Sequence, residues 1–207
     1  MKISTTRTLS SRLGVLSGFS LSAAVATYGF LSIASRNLNT EDFGRFTMLW
    51  SGIYVVSGVL LGALEPEISR LVAVRAGREA KLTILLCTGL LGGILGILGA
   101  VSAMGKNPLD SHWQMGLLFP AAILTFMTVQ VVIRGQLAGH GATMRYGIVA
   151  PMDAAFRLFA LLVGFGSLGT SLSTVLAAMA AGSGLTVLVT WSFIMKRRDD
   201  SCLDDRP

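Results

Sequence analysis

Residues 158–195, LFALLVGFGSLGTSLSTVLAAMAAGSGLTVLVTWSFIM, run for 38 positions without a charged side chain. A helix crosses a bilayer with about 20 mostly apolar residues, so this stretch is too long for one span and long enough for most of two. Its middle, Gly164-Phe165-Gly166-Ser167-Leu168-Gly169-Thr170-Ser171, has the composition of a turn. The reading is a helical hairpin: one span over about 146–166, which also carries Asp153 and Arg157, and a second over about 170–195. Beyond it lies a tail, residues 196–207, whose end, 199–207, is acidic and poor in apolar side chains, which predicts a disordered cytoplasmic end.

The same charge punctuation divides the rest of the chain. Arg12 to Arg36 encloses 23 uncharged residues, Arg45 to Glu65 encloses 19, Lys81 to Lys106 encloses 24, and Asp110 to Arg134 encloses 23. Each interval holds one span, giving spans over about 13–35, 46–64, 82–104 and 112–133, and six in all. The expected fold is therefore an all-α integral membrane protein, a six-helix transmembrane bundle. At 23 residues the first apolar stretch is long for the core of a cleaved signal peptide, which usually has about 7–15.

Composition agrees with this division. Of 207 residues, 52% are apolar and 14% charged, with mean hydropathy +0.67. Soluble domains carry about 25% charge, so this chain has too little to solvate its surface. Disordered chains are poor in apolar residues, which excludes that class. Two cysteines, Cys87 and Cys202, cannot make a disulfide scaffold.

The net charge of +6 is an orientation signal. With the N-terminus in the cytoplasm, thirteen Lys and Arg fall in inside segments and three, Arg36, Arg45 and Lys106, in outside loops. Cytoplasmic loops carry such an excess, so both termini are expected inside, and no nucleic-acid partner is needed to explain the basic balance. Segment 66–81 is too polar to span. Pro66 suits the first turn of a helix, and Ile68, Leu71, Val72 and Val74 among arginines predict a short helix lying on the cytoplasmic headgroups.

Glycine pairs at GxxxG spacing, Gly14/Gly18, Gly58/Gly62, Gly89/Gly93, Gly92/Gly96 and Gly135/Gly139, predict close helix contacts. Asp153 and Arg157 are the candidate site. Ionisable residues in mid-span cost about 2.5–3.5 kcal/mol each and usually face a bundle interior or a wet cavity. Their i, i+4 spacing places them on one helix face. They are either a site for an ion or a headgroup, or an internal ion pair, or residues near enough to the interface to snorkel. Pro151 and Pro120 are expected to bend their spans. His112 and His140 fall in loops on opposite sides, so no metal site is expected. Ala181-Gly182-Ser183-Gly184 lacks both the first glycine of an intramembrane serine protease motif and a later histidine, and no phosphate loop or zinc motif is present. The expectation is a protein that is not an enzyme and holds no cofactor.

Two segments resemble the polysaccharide biosynthesis and export flippases of the multidrug/oligosaccharidyl-lipid/polysaccharide exporter superfamily. Residues 34–46, ASRNLNTEDFGRF, are similar to the link after the first helix of that family, agreeing at Arg36, Leu38, Glu41, Phe43 and Gly44. Asn39 and Thr40 stand where the family has Gly-Pro, and Phe46 where it has Tyr. Residues 134–141, RGQLAGHG, with Arg145-Tyr146 after them, are similar to its loop between the fourth and fifth helices.

The six-span layout resembles the N-terminal half of such a two-bundle transporter. The resemblance implies flipping of lipid-linked oligosaccharide across the inner membrane, with Na⁺ or H⁺ as candidate coupling ions. A basic cavity would take diphosphate and sugars while the prenyl tail stays in lipid. Arg157 is the first candidate substrate contact, Asp153 its partner or a proton carrier, and Arg36 a third candidate. One six-helix unit supplies one wall of an alternating-access cleft, so a homo-oligomer or a second transporter half is expected as partner. The alternatives are a non-transporting scaffold subunit or truncated gene product, and a small multidrug exporter.

Overall fold

A computed structural model of the chain describes residues 3–58, 62–74 and 111–204. Among the described residues there are six helices and no strand: α1 (Ile3–Asn37), α2 (Thr40–Val56), α3 (Gly62–Ala73), α4 (Ser111–Gly139), α5 (Thr143–Leu168) and α6 (Leu172–Asp204). Four of them contain stretches long and apolar enough to cross a membrane: Gly14–Asn37, Phe119–Gly139, Thr143–Leu168 and Leu172–Ser192. The protein is an all-α, multi-pass membrane bundle. The expected third span, 82–104, with its glycine pairs and Cys87, lies outside the described residues.

The turns form where local chemistry asks for them. Asn39 takes an extended backbone and its side chain accepts a hydrogen bond from the Asp42 amide at 2.8 Å, capping α2. Glu41 and Asp42 add negative charge at the positive end of the helix. The residue that departs from the Gly-Pro pattern is thus the one that starts the helix. Gly141 (φ +71°) and Gly169 (φ +83°) turn the chain between α4 and α5 and between α5 and α6, in a region L side chains rarely adopt. The hairpin turn is shorter than the run of small residues suggests, because Gly164 stays in α5 and packs against Thr174.

α5 is the axis of the bundle. It runs parallel to α1, with Gly147 against Leu16 and Phe19 and Gly29 against Leu158, and antiparallel to α6. α4 packs between α6 and α3. The larger core joins Phe30, Phe46, Ile123, Leu161, Val175, Leu176 and Met179, and a smaller one joins Ile133, Leu137 and Val149. Pro120 and Pro151 both lie inside continuous helices.

Several expectations change. Over the expected span 46–64, α2 runs to Val56, residues 57 and 58 are still helical, and 59–61 lie outside the described residues. α3 begins at Gly62 and buries Ile68 and Leu71 on the side that packs against α4. Its outer side carries Glu67, whose carboxyl is held below its ordinary pKa by the Arg70 hydrogen bond.

The loop expected after Arg134 is helical to Gly139, because the Arg134 charge is met inside the bundle. Gly135 and Gly139 form the contact with α3: a Cβ on either would stand within 2.8 Å of Ile68, Ser69 or Val72 atoms. Gly14, Gly18, Gly58 and Gly62, by contrast, have nothing within 4 Å of a Cβ. His112 is helical in α4 rather than in a loop. Finally, α6 continues to Asp204, so most of the expected disordered tail, Cys202 included, is helix. No glycine or proline interrupts residues 196–204.

Candidate functional site

Asp153 and Arg157 sit one turn apart in the interior of α5, about 15 Å and 21 Å along the helix from Thr143. Both are buried, at 9% and 4% exposure. Arg157 Nη2 lies 2.6 Å from Asp153 Oδ2. Gln130 of α4 donates from Nε2 to Asp153 Oδ1 at 2.8 Å and to the Ser183 carbonyl at 3.3 Å. The Thr186 hydroxyl of α6 lies 3.2 Å from the same carboxylate oxygen and 2.9 Å from the Gly182 carbonyl. Arg157 Nε donates to Ser183 Oγ at 3.1 Å.

Three helices, α4, α5 and α6, thus supply one polar centre within an apolar bundle. A buried charge is tolerated when it is paired and its remaining donors and acceptors are used. Gly182 makes the arrangement possible, because a Cβ there would stand 2.5 Å from the Arg157 backbone N and Cα.

The one partner of the centre that leads outward is Tyr54. Arg157 Nη1 donates to its hydroxyl at 3.4 Å, and the residue keeps 39% of its surface exposed. Tyr54 ends an aromatic ladder along α2. Its ring stacks on Trp50 at 4.8 Å, and Trp50 meets Phe46 at 5.5 Å and Phe30 at 5.6 Å.

A second polar cluster joins α3, α4 and α5 near the start of α5. The Tyr146 hydroxyl donates to Glu65 Oε1 at 2.7 Å, Arg134 Nη2 lies 3.2 Å from that oxygen, and Arg134 donates to Tyr146 at 3.1 Å. The guanidinium also lies over the Tyr146 ring, 5.1 Å from its centroid.

Asp153 and Arg157 are therefore brought together, whereas Arg36 is not with them. Arg36 is exposed on the last turn of α1. Gly29 marks the level of Leu158, so Arg36 stands about 10 Å further along the bundle. Gln130, Ser183, Thr186 and Tyr54 are absent from the sequence-based site. The one signal for them is an amide or hydroxyl inside an otherwise apolar run, clearest for Gln130.

No protein-family model matches the chain, and no curated protein does. Among solved structures, the chain is similar to a MOP superfamily transporter from Pyrococcus furiosus, for which a binding pocket of reverse polarity suggests a different function. The TM-score is 0.55 at 17% identity, over 91% of this chain and 43% of the transporter. The chain thus corresponds to less than half the length of that protein, and what the two share is the fold.

Proposed function

We propose that the protein is a membrane transport component that moves lipid-linked oligosaccharide across the inner membrane, with Arg157 as the contact for the anionic headgroup. The observation that carries this reading is a buried arginine in mid-bundle with one donor turned toward an exposed residue. An apolar bundle has no structural need for a guanidinium at that depth, and intramembrane charges mark substrate and ion paths. Asp153 compensates the guanidinium when no anion is present, and an arriving phosphate competes with it. Na⁺ or H⁺ remains the candidate coupling ion. Transport rather than catalysis is the reading, since charge and hydrogen bonds are what a headgroup contact requires. Function is assigned to an oligomer or to a pair of this unit with a second half, and both termini to the cytoplasm.

Complementation of a strain defective in glycan export tests the reading. Arg157→Ala and Asp153→Ala, at normal protein levels in the membrane, are expected to abolish export, with Arg157→Lys retaining part of it. Full export by both alanine variants would sink the assignment. A second reading, a scaffold subunit, is favoured by the closed pairing of Asp153 with Gln130 and Thr186. It expects those variants to lower protein level and export in proportion.

A further inference from the structure

The exposed part of the polar centre is a tyrosine ring at mid-bundle depth, and this placement is unusual. Lipid-exposed tyrosines concentrate at the membrane interfaces, where the hydroxyl reaches water. Tyr54 instead stands level with Arg157. One ring face lies on Trp50 and the hydroxyl on Arg157, which leaves the rest of the ring as the exposed part. Besides Trp50, its neighbours one turn away along the chain include Ser51, which is exposed, and Gly58, also exposed, with open space where a Cβ would be.

We propose that Tyr54, backed by Trp50 and flanked by Ser51, is the platform for the first sugar ring of the substrate, next to the diphosphate contact at Arg157. The π face is electron-rich and attracts the polarised C–H groups on one face of a pyranose. The Ser51 hydroxyl offers one donor and one acceptor to the ring hydroxyls. The separation also fits, because a first sugar is bonded directly to the diphosphate and Tyr54 touches the arginine assigned to it. Tyr54 is then a specificity-determining residue, reading the sugar while Arg157 reads the charge. This inference rests on the proposed role of Arg157.

The test is equilibrium binding to the full chain in lipid nanodiscs, with farnesyl diphosphate and farnesyl-diphosphate-linked N-acetylglucosamine as probes. The unchanged protein is expected to bind the glycosylated probe about tenfold more tightly. Tyr54→Leu is expected to remove that difference, read as the ratio of the two affinities within the variant, since the substitution also takes a hydrogen-bond partner from Arg157 and so acts on both probes alike. Tyr54→Phe keeps the ring and is expected to keep the difference, which also guards against misfolding as the cause. Equal binding of the two probes by the unchanged protein overturns the platform and leaves Arg157 standing. Equal weakening of both probes by Tyr54→Leu also overturns it, since Tyr54 would then merely position Arg157. Failure of the unchanged protein to bind either probe overturns the Arg157 reading and the platform with it.

Discussion

Gly182 brings the α6 backbone against that of Arg157, so closely that a Cβ would stand 2.5 Å from the arginine's N and Cα. The buried guanidinium and the helix crossing are thereby one feature: the glycine that permits the contact adjoins Ser183, which accepts from Arg157. Gly182→Ala must part the helices. Overpacking of this kind costs about 1–3 kcal/mol, and thermal unfolding in detergent is expected to show a loss on that scale. An unchanged midpoint would mean that the crossing is looser than described.

The Asp153–Arg157 pair gives a prediction about coupling. Removing one partner of a buried ion pair strands the other and costs about 3–5 kcal/mol, whereas replacing both with apolar residues is often neutral. Asp153→Leu and Arg157→Leu are each expected to be severe in denaturant titrations, and the double variant milder than either. Simple additivity in this cycle would contradict the pairing.

Glycines at similar spacing should differ according to what they face. Gly135→Ala and Gly139→Ala are each expected to destabilise by about 1–3 kcal/mol, because a methyl group meets Ile68, Ser69 or Val72 atoms. Gly18→Ala, with open space around it inside α1, is expected to stabilise by about 0.5–1 kcal/mol, the helix-propensity difference. Unfolding of the three variants side by side checks the ranking.

At the second cluster, Glu65→Leu removes the carboxylate that Arg134 and Tyr146 share. It leaves a half-buried guanidinium without that charge, while Tyr146→Phe removes only a hydroxyl. The expected order is a loss of about 0.5–1.5 kcal/mol for Tyr146→Phe and a larger one for Glu65→Leu. Protease sensitivity at the α2–α3 junction should follow the same order. Equal losses would show that the Arg134 contact is not needed.

The sequence reading treats each charge as the end of a span, and its successes and failures follow from that. The hairpin of α5 and α6 was legible because 38 uncharged residues precede Lys196 and small residues mark their middle. Arg134 misled because Glu65, 69 positions earlier, receives its charge and lets α4 continue. At the site, Asp153 and Arg157 were visible as charges in an apolar run. Tyr54, Gln130, Ser183 and Thr186 were not, because they are uncharged and only the packing of α2, α4 and α6 brings them to α5.

The glycine contacts have a mechanical consequence. They act as fixed spacers between α3 and α4, α1 and α5, and α5 and α6, where backbone meets side chain with no slack to give. Among the described residues α2 has no such spacer: Gly44 and Gly52 have open space where a Cβ would be, and the helix is held by its stack of rings, by the buried Phe46 and Ile53 and by one hydrogen bond of 3.4 Å. Rings slide over one another more easily than interlocked backbones separate. Among the described helices, α2 is therefore the compliant element, and a force on the bundle is taken up there before it reaches the charged centre beneath.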